Sequence, residues 1–275
     1  MDRFRASQRK ACQLIGLSRS SWCYRSVARD SSALSMRIKE ITDTRPHYGY
    51  QRVYVMLRRE GWRDNHKRVY RLYNEMGLSL RLKRPKRNKS AHARQPQTMA
   101  QCVNHIWSMD FVADNLFDGR KLRALTVVDQ YTRECLAIEV SQRLTGEDVV
   151  NVMRNICFKR GRPQVIKTDN GSEFISKVLD KWAYEHQVTL DFSRPGKPTD
   201  NAFIESFNGR LRQECLNTHW FLSLDDAKSK IEAWRREYNE SRPHSSLDWM
   251  TPSEYAQKHW DNTRNNHTIE AEFST

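Results

Sequence analysis

The sequence predicts an α/β core, built on a mixed five-stranded sheet with flanking helices, that follows a small all-α region. Two observations predict this fold class. From about residue 101, three strand-like segments follow one another and then helices and strands alternate, an order typical of helices packed on a sheet. Before that point, apolar residues recur at helical spacing. The length of 275 residues is enough for two domains.

The front region, residues 1–87, is predicted to consist of short helices joined by turns. Its first two helices are separated by a turn at Gly16, and Ser18 is the predicted N-cap of the second, which is the pattern of a helix-turn-helix. A later pair, separated by Gly61, repeats the pattern. The predicted helices lie within residues 7–15, 18–24, 33–44, 48–59 and 65–76.

Positive charge is concentrated in this front region. Residues 1–100 carry 24 Lys and Arg against 7 Asp and Glu, whereas residues 101–275 carry 23 against 26. A basic segment interleaved with aromatic residues is typical of nucleic-acid binding, because Lys and Arg displace the counterions condensed on phosphates. A solvated charged surface and a membrane-surface patch are the alternatives that charge alone leaves open. The sequence therefore predicts that the front third binds DNA.

Candidate DNA contacts occur in two places in the front region. Arg68 and Arg71 lie on the last predicted helix, with a solvated helix face as the alternative. Residues 81–89 then pack six basic residues around a proline, and such a block is predicted to extend along phosphates. Residues 88–100 have the composition of a linker. The candidate contacts in the basic block are Arg81, Lys83, Arg84, Lys86 and Arg87.

Several classes of protein are excluded by composition. The chain has no long apolar run and a mean hydropathy of −0.84, so a membrane-spanning segment is not expected. The first ten residues lack the apolar stretch of a signal peptide. Six scattered cysteines without a Cys-x-x-Cys pair are interpreted as reduced thiols. We therefore expect a cytoplasmic protein associated with the nucleoid.

The core is predicted to span residues 101–260. Three strands form an antiparallel meander, and alternating helices and strands follow, which is the order expected of a ribonuclease-H-like fold. The remaining residues, 261–275, are polar and unpatterned, and a disordered tail is expected there. The predicted strands are 103–112, 121–128, 134–140, 164–168 and 188–193. The predicted helices are 145–159, 172–186, 200–217 and 224–238.

Two aspartates are predicted at strands of this core. Alternation along the first strand places Trp107 and Met109 on one face and Asp110 on the other, so this acid points away from the large apolar side chains. Asp169 follows a short apolar strand and begins the turn sequence Asp-Asn-Gly. The carboxyl ends of strands are where open α/β sheets bind their ligands. Asn170, the next residue, is a further candidate DNA contact.

A third acid, Glu205, lies on a predicted helix. Phe203, Phe207 and Leu211 are spaced four apart and form its predicted buried stripe. A different face carries Asn201, Glu205, Asn208 and Arg212, so one helix could direct an acid toward the sheet and a cation toward DNA. The preceding loop, 194–199, is a candidate flap in which Lys197 is the predicted DNA contact, with ordinary exposure as the alternative.

The three acids together predict a metal site. Carboxylates brought close repel one another unless a cation lies between them. Hard ions such as Mg²⁺ prefer oxygen ligands and bind through carboxylates together with substrate phosphate. Two such ions, Mg²⁺ or Mn²⁺, can promote a phosphoryl displacement. The predicted catalytic residues and metal ligands are Asp110, Asp169 and Glu205.

The spacing of these acids resembles a known signature. Their order is Asp, Asp, Glu, with 58 residues between the first two and 35 between the last two, and Arg212 follows seven positions later. This pattern is similar to that of DNA transposases and retroviral-type integrases. Over about residues 37–255 the chain resembles second-reading-frame (OrfB) transposases of bacterial insertion sequences. Further motifs that carry this resemblance are Tyr238-Asn239, Arg242-Pro243-His244 and Thr251-Pro252.

The resemblance implies an enzyme that nicks transposon-end DNA and joins the 3′-OH to another phosphodiester. It implies as partners double-stranded DNA (terminal inverted repeats and target), further copies of the chain on DNA, and an upstream-frame (OrfA) protein or fusion. No His/His/Cys/Cys spacing is present, so the zinc module of retroviral integrases is not predicted. Two alternatives remain: a DNA-binding regulator or assembly factor with an inactive core, and a hydrolase that does not join strands.

Overall fold

The structure, a computed structural model, describes most of the chain. Several residues of the sequence-based predictions lie outside the described residues: Lys197, the basic block of the front region, most of the predicted linker and the predicted tail. Along the described segments, no helix is long and apolar enough to cross a membrane. The described residues are 7–25, 30–80, 99–194 and 201–260.

Five helices occur in the described part of the front region. The predicted N-cap Ser18 is confirmed, because the backbone N–H of Ser21 donates to Ser18 Oγ at 3.0 Å, and Asn65 caps another helix by accepting the N–H of Lys67 at 2.9 Å. Gly77 ends the last helix with φ +69°, a conformation that favours glycine. The helices are α1 (Gln8–Leu14), α2 (Arg19–Cys23), α3 (Ser32–Thr44), α4 (Tyr50–Arg59) and α5 (His66–Glu75).

The chain divides into two units, and α4 belongs to the second. The first unit comprises residues 1–46 and 64–79, and the second comprises the rest. Within the second unit, Arg52 Nε on α4 donates to the carbonyl of Pro243 at 3.2 Å, and Arg59 Nη2 lies 2.7 Å from the Glu254 carboxylate. Helix α4 is therefore bound to the C-terminal segment of its own unit.

The second unit is built on a five-stranded sheet. The strands are β1 (Ile106–Asn115), β2 (Lys121–Asp129), β3 (Cys135–Ser141), β4 (Val165–Thr168) and β5 (Thr189–Phe192). Their order in the sheet is β3-β2-β1-β4-β5, with β1 antiparallel to β2 and parallel to β4. The prediction of a mixed five-stranded sheet is thus confirmed, with β1 at its centre. The first strand extends to Asn115, beyond its predicted end, because its ladder with β2 continues to the pair Asn115 and Lys121.

Both faces of the sheet carry an apolar core. On one face Trp107 and Met109 of β1 pack with residues of two helices, α6 (Gly146–Arg160) and α7 (Lys177–Glu185). On the other face Val112 packs with residues of α8 (Ala202–Glu214) and α9 (Leu224–Glu240). The alternation predicted for β1 is confirmed, because Trp107 and Met109 enter one core and Val112, at an even-numbered position, enters the other.

The helix predicted from residue 172 begins later, and that part of the prediction is wrong. Helix α7 begins at Lys177, after Ser176, whose Oγ accepts the backbone N–H of Leu179 at 3.3 Å. The preceding residues form turns in which Phe174 is buried and its N–H donates to Gly171 O at 3.0 Å. Burial of this phenylalanine inside a turn is a tertiary effect, and helical periodicity does not reveal it.

The buried stripe of α8 also differs from the prediction. Ile204, Phe207 and Leu211 are buried, whereas Phe203 is half-buried and its ring lies 4.0 Å from the guanidinium carbon of Arg133. Phe203 and Ile204 are adjacent and both apolar, so helical spacing alone did not show which of the two side chains enters the core. A cation–π contact from a distant turn covers Phe203 instead.

Candidate active site

Asp110 lies in the middle of the central strand and is half-buried. Its Oδ1 accepts the backbone N–H of Phe111 at 2.7 Å, and its Oδ2 accepts a hydrogen bond from Asn208 Nδ2 of α8 at 2.9 Å. The carboxylate is therefore oriented from both its own strand and the helix that covers it.

The environment of Asp110 makes a negative charge there unfavourable. Burial raises the pKa of its carboxyl to about 6, and the negative charges of Asp169 and Glu205 add to the rise, against hydrogen bonds from Phe111 and Asn208 that lower it. The charges of Asp169 and Glu205 thus both act on Asp110. A cation placed among them would remove the conflict.

Asp169 directly follows the last residue of β4, as predicted. Strand β4 is the parallel neighbour of β1, so the end of one strand is brought beside the middle of the other. The exposed Asp169 side chain accepts the backbone N–H of Gly171 at 3.0 Å. A Cβ at Gly171 would lie 3.1 Å from Asp169 Oδ1, so a larger residue would crowd this carboxylate. Asn170 Nδ2 donates to the carbonyl of Ser193 at 2.8 Å, which ties the turn to the end of β5.

The predicted polar face of α8 lies along β1. Asn201 Nδ2 donates to Met109 O at 3.4 Å, and Arg212 Nη2 donates to Ala113 O at 3.2 Å. With the bond from Asn208 to Asp110, these contacts follow the central strand for about three turns of the helix. Glu205, which is exposed, lies on the same face between Asn201 and Asn208.

Arg212 is exposed and is not engaged by the acid nearest to it in sequence. Glu214 instead pairs with Arg242, whose Nε lies 3.0 Å from the carboxylate, and that arginine is almost fully buried. The hydrogen bond to Ala113 uses only part of the Arg212 guanidinium. Its remaining donors can bind a phosphate beside the three acids.

Asn208 is a site residue that the sequence-based analysis did not select. Its Oδ1 accepts a hydrogen bond from Thr126 Oγ1 at 2.9 Å, while its Nδ2 donates to Asp110. The threonine on β2 therefore fixes which way the amide faces, and the amide fixes Asp110. Helical spacing had placed Asn208 on the correct face, but only the strand pairing brings Thr126 to it.

Asn208→Ala should lower DNA strand cleavage about 10–100-fold, because groups that orient a metal ligand typically have effects of that size. The lost hydrogen bonds are partly exposed, so the melting temperature should fall by only a few degrees. Cleavage rate at several Mg²⁺ concentrations measures the effect, and the half-saturating Mg²⁺ concentration should rise. Asn217→Ala, at an exposed position beyond α8, is the matched control. An unchanged rate and Mg²⁺ dependence would exclude a positioning role for Asn208.

A second group of contacts joins the strand of Asp110 to the turn after Asp169. The rings of Phe111 and Phe174 are stacked with centroids 4.9 Å apart. Arg123 on β2 lies over the Phe111 ring at 4.3 Å and pairs with Glu173. These residues, which the sequence-based analysis did not select as a group, connect the supports of the two aspartates. Glu173 lies four residues after Asp169 in the sequence Asp-Asn-Gly-Ser-Glu. This position in the motif is the sequence signal that could have identified Glu173.

Two predicted DNA contacts lie on α5 of the first unit. Arg68 is partly buried, with Nη1 2.8 Å from the Asp64 carboxylate and Nη2 2.9 Å from both Asp30 O and Ser31 Oγ. Arg71 is exposed, and its Nε lies 3.5 Å from Glu75. Arg68 therefore connects the start of α5 to the start of α3, whereas Arg71 presents most of its guanidinium to solvent.

The residues at the site fit a hard divalent cation in their chemistry. All three acids offer carboxylate oxygens, and no nitrogen or sulfur ligand is required. Asp169 and Glu205 have exposed side chains that can turn without disturbing a core. Among the residues with described positions, no three His, Cys, Asp or Glu side chains already form a cage for an ion. An ion would therefore be held by side chains that reorient around Asp110.

Known protein families match the front region and the sheet-containing region of the chain through separate models. Two models described as "Integrase core domain" match residues 100–198 and 186–252, and together they cover all three acids. A model described as "HTH-like domain" matches residues 29–87. The family matches therefore cover both the sheet-containing unit and the helical front region.

Relatives that match over most of their length decide the family. The chain is 44% identical to the "Insertion element IS407 uncharacterized 31.7 kDa protein" of Burkholderia multivorans, over 94% of this chain and 93% of that protein. It is 30% identical to "Transposase InsD for insertion element IS2D" of Escherichia coli, over 84% and 80% of the two chains. The chain belongs to the insertion-element transposases with an integrase core. A regulator with an inactive core is not favoured by these matches to an integrase core domain and to insertion-element proteins.

A solved structure supports the fold of this transposase. The intasome of simian T-cell lymphotropic virus, solved in complex with a PP2A regulatory subunit, contains a chain that aligns with a TM-score of 0.54. The alignment covers 80% of this transposase and 74% of that chain at 17% identity. The prediction of an integrase-like, ribonuclease-H-like core behind a helical region is confirmed.

Proposed function

We propose that this transposase is a metal-dependent polynucleotidyl transferase that nicks the DNA at the ends of its element and joins the resulting 3′-OH to another phosphodiester. The observation that carries the proposal is the alignment of the polar face of α8 with the central strand. Three hydrogen bonds from that face reach Met109, Asp110 and Ala113, which supports a role for Glu205, on the same face, together with Asp110. Strand, strand end and helix each supply one acid.

The three acids have one task in this proposal, which is to hold Mg²⁺ or Mn²⁺, with two ions as the expected number. When bound, such ions supply activation of the attacking oxygen and stabilisation of the leaving oxygen at phosphorus. Asp110 is held by Asn208 and by its own backbone, so it is the fixed member of the set. Asp169 and Glu205 are the exposed members that adjust to the ions.

DNA is held by groups outside the acid cluster. Arg212 binds a phosphate on the active-site face of α8, and Lys197 and Asn170 are further proposed DNA contacts. The front region binds duplex DNA at the terminal inverted repeats through its helices, with Arg71 as the most accessible helix candidate. Its basic block follows the phosphates. The same reaction requires a target duplex, and we propose that several copies of the chain assemble on DNA, with an OrfA protein or fusion as a further partner.

Arg212→Ala should lower strand joining about tenfold without lowering the melting temperature by more than a degree or two, because among the described residues Arg212 makes a single, exposed hydrogen bond. Arg212→Lys should recover part of the rate, since lysine keeps the charge but lacks the bidentate fork. Both quantities are measured on the same preparations. Arg154→Ala, at an exposed position on α6, is the matched control. If Arg212→Ala lowered stability and left the rate per folded molecule unchanged, Arg212 would be a structural residue.

Cleavage itself provides the first test of the proposal. A duplex that carries one end of the element, labelled at its 5′ end, should be nicked at the boundary in the presence of Mg²⁺ and remain intact with EDTA. The element-end sequence comes from the DNA that flanks the reading frame. Cleavage that proceeds equally well in EDTA, or that occurs at random positions, would contradict the proposal.

A further inference from the structure

A cavity of about 360 Å³ lies beside α8 and is separate from the three acids. Its walls are formed by the start of α8, the turn after β2 and the segment that follows α9. None of the three acids lines it. Its volume is within the range of about 300–1,000 Å³ that is typical of small-molecule sites. The principal lining residues are Arg133, Phe203, Ser206, Arg210, Tyr238 and His244.

One cationic side chain that lines this cavity has a nitrogen without a hydrogen-bond partner among the described residues. Arg133 is fixed by its stacking over the Phe203 ring at 4.0 Å, yet its Nη1 is buried and has no hydrogen-bond partner among the described residues. Asp129 is a nearby acid, but its carboxylate already accepts the backbone N–H groups of Asn104 and Tyr131 at 2.9 and 2.8 Å. A buried guanidinium nitrogen without a partner is costly unless a ligand supplies one.

His244 adds a second polar group without a partner. Its side chain is more than nine-tenths buried, it lines the cavity, and its Nε2 has no hydrogen-bond partner in the described part of the chain. The ring packs edge-on against Tyr238 with centroids 5.0 Å apart. Burial lowers the pKa of His244 to about 2, helped by the surrounding arginines, so the imidazole is neutral and can donate an N–H to an anion.

The arginines around this histidine show the sign of the local field. Among the charged groups, Arg242 lowers the pKa of His244 most, and Arg210, Arg52 and Arg133 lower it by successively smaller amounts. Glu214 neutralises Arg242 through a paired contact, but it does not line the cavity. The remaining arginines leave a positive potential at the cavity, which favours an anionic ligand.

We propose that this cavity binds one unpaired, phosphate-bearing nucleotide of the DNA, with the phosphate at Arg133, Arg210 and His244. The inference rests on the proposed function, because the DNA substrate supplies the nucleotide. An inorganic phosphate would leave the apolar and aromatic wall of Phe203 and Tyr238 uncovered, whereas a base has a flat face that packs on such a wall. A base pair within a duplex cannot enter a cavity of this size, so the nucleotide must leave the stack.

Binding of deoxyadenosine 5′-monophosphate to the full-length transposase tests the proposal without requiring activity. Titration calorimetry should show that it binds at least about tenfold more tightly than inorganic phosphate or deoxyadenosine, because only the nucleotide engages both walls. A short single-stranded oligodeoxynucleotide should displace it. Equal binding of inorganic phosphate and the nucleotide, or displacement by a tetraglutamate peptide at the same concentration, would overturn the assignment.

Variants locate the binding at the cavity. Arg210→Gln, at a partly exposed position, and Arg133→Gln should each weaken nucleotide binding about tenfold, the size expected for one charge-assisted contact. Ser206→Glu places an acid at an exposed position of the cavity wall and should abolish binding without disturbing the core. Arg154→Gln, on α6, should bind as the unchanged protein does. Unaltered binding by Arg210→Gln and Ser206→Glu would refute the proposed site.

The same preparations separate this inference from the proposed function. A transposase that joins DNA strands but does not bind the nucleotide would overturn the inference alone. One that binds the nucleotide at the cavity but neither cleaves nor joins DNA would contradict the proposed function, and it would leave the cavity as a nucleotide site. The two measurements use different readouts, so neither failure can be mistaken for the other.

Discussion

Asp110→Asn, Asp169→Asn and Glu205→Gln should each lower Mg²⁺-dependent cleavage and joining by at least about 10³-fold. Each substitution removes one negative charge from the proposed ion site while nearly keeping the shape of the side chain. Stabilisation of the transition state by the ions contributes several kcal/mol, and each 1.36 kcal/mol corresponds to a factor of ten in rate. Rates are measured with labelled element-end DNA at saturating enzyme.

The control for these variants is DNA binding, which should change less than about threefold because the acids do not hold phosphate directly. Asp169 and Glu205 are exposed, so their amide variants should also melt at nearly the temperature of the unchanged protein. Asp180→Asn, at an exposed position on α7, is the matched variant that should keep full activity. Strong Mg²⁺-dependent cleavage by any one of the three variants would remove that residue from the site.

Replacement of the five basic residues between positions 81 and 87 by Gln should weaken duplex binding by at least about 10²-fold at 50 mM salt. Each phosphate that loses its cation changes the slope of log K against log salt by about 0.9, so the slope should become shallower by about 4–5. The salt dependence is measured by fluorescence anisotropy on the full-length chain. The substituted residues are Arg81, Lys83, Arg84, Lys86 and Arg87.

A matched control carries five neutralised cations on the exposed surface of the sheet-containing unit. Its salt slope should change by less than about 1, because the front region carries the excess positive charge. Equal loss of affinity in both variants would show that the basic block is an ordinary solvated surface. The full-length chain is required, since α4 is bound to the C-terminal segment through Arg52 and Arg59, and a fragment that ends near residue 100 would lose those contacts. The control positions are Arg143, Arg154, Lys159, Lys177 and Lys228.

The strands and most helices of this transposase were predictable because local rules and tertiary structure agree there. Alternation along β1 separated Trp107 and Met109 from Asp110, and the sheet requires that same separation. The polar face of α8 followed from helical spacing alone, and three hydrogen bonds to β1 confirm it. Where burial against a single neighbouring element determines the pattern of apolar and polar residues, the sequence alone predicts the structure.

The sequence could not show which side chains of distant segments contact one another. Asn208 depends on Thr126 through a hydrogen bond that exists only because α8 packs across both β1 and β2. The pair of Arg123 and Glu173 spans 50 positions, and neither residue has a local signal for the other. Phe203 is covered by Arg133 rather than by the core, which spacing did not reveal.

The cavity beside α8 could not be predicted from the sequence for the same reason. Arg242-Pro243-His244 was visible as a motif that carried the resemblance, but its spacing gave no chemical role for His244. Only the fold brings that histidine, Arg133 from the turn after β2 and Arg210 from α8 to one cavity. Side chains from three separate segments are combined there by tertiary structure alone.

The most direct test of the account is whether the chain joins DNA strands through a 3′-OH. Element-end DNA, already nicked and labelled, is incubated with the full-length transposase, Mg²⁺ and a target duplex, and the products are separated on a denaturing gel. The account predicts labelled strands longer than the donor, formed from a donor that ends in a 3′-OH and absent when that end is a dideoxynucleotide. Shortened strands alone, with no joined product from the 3′-OH donor, would contradict it and indicate a hydrolase.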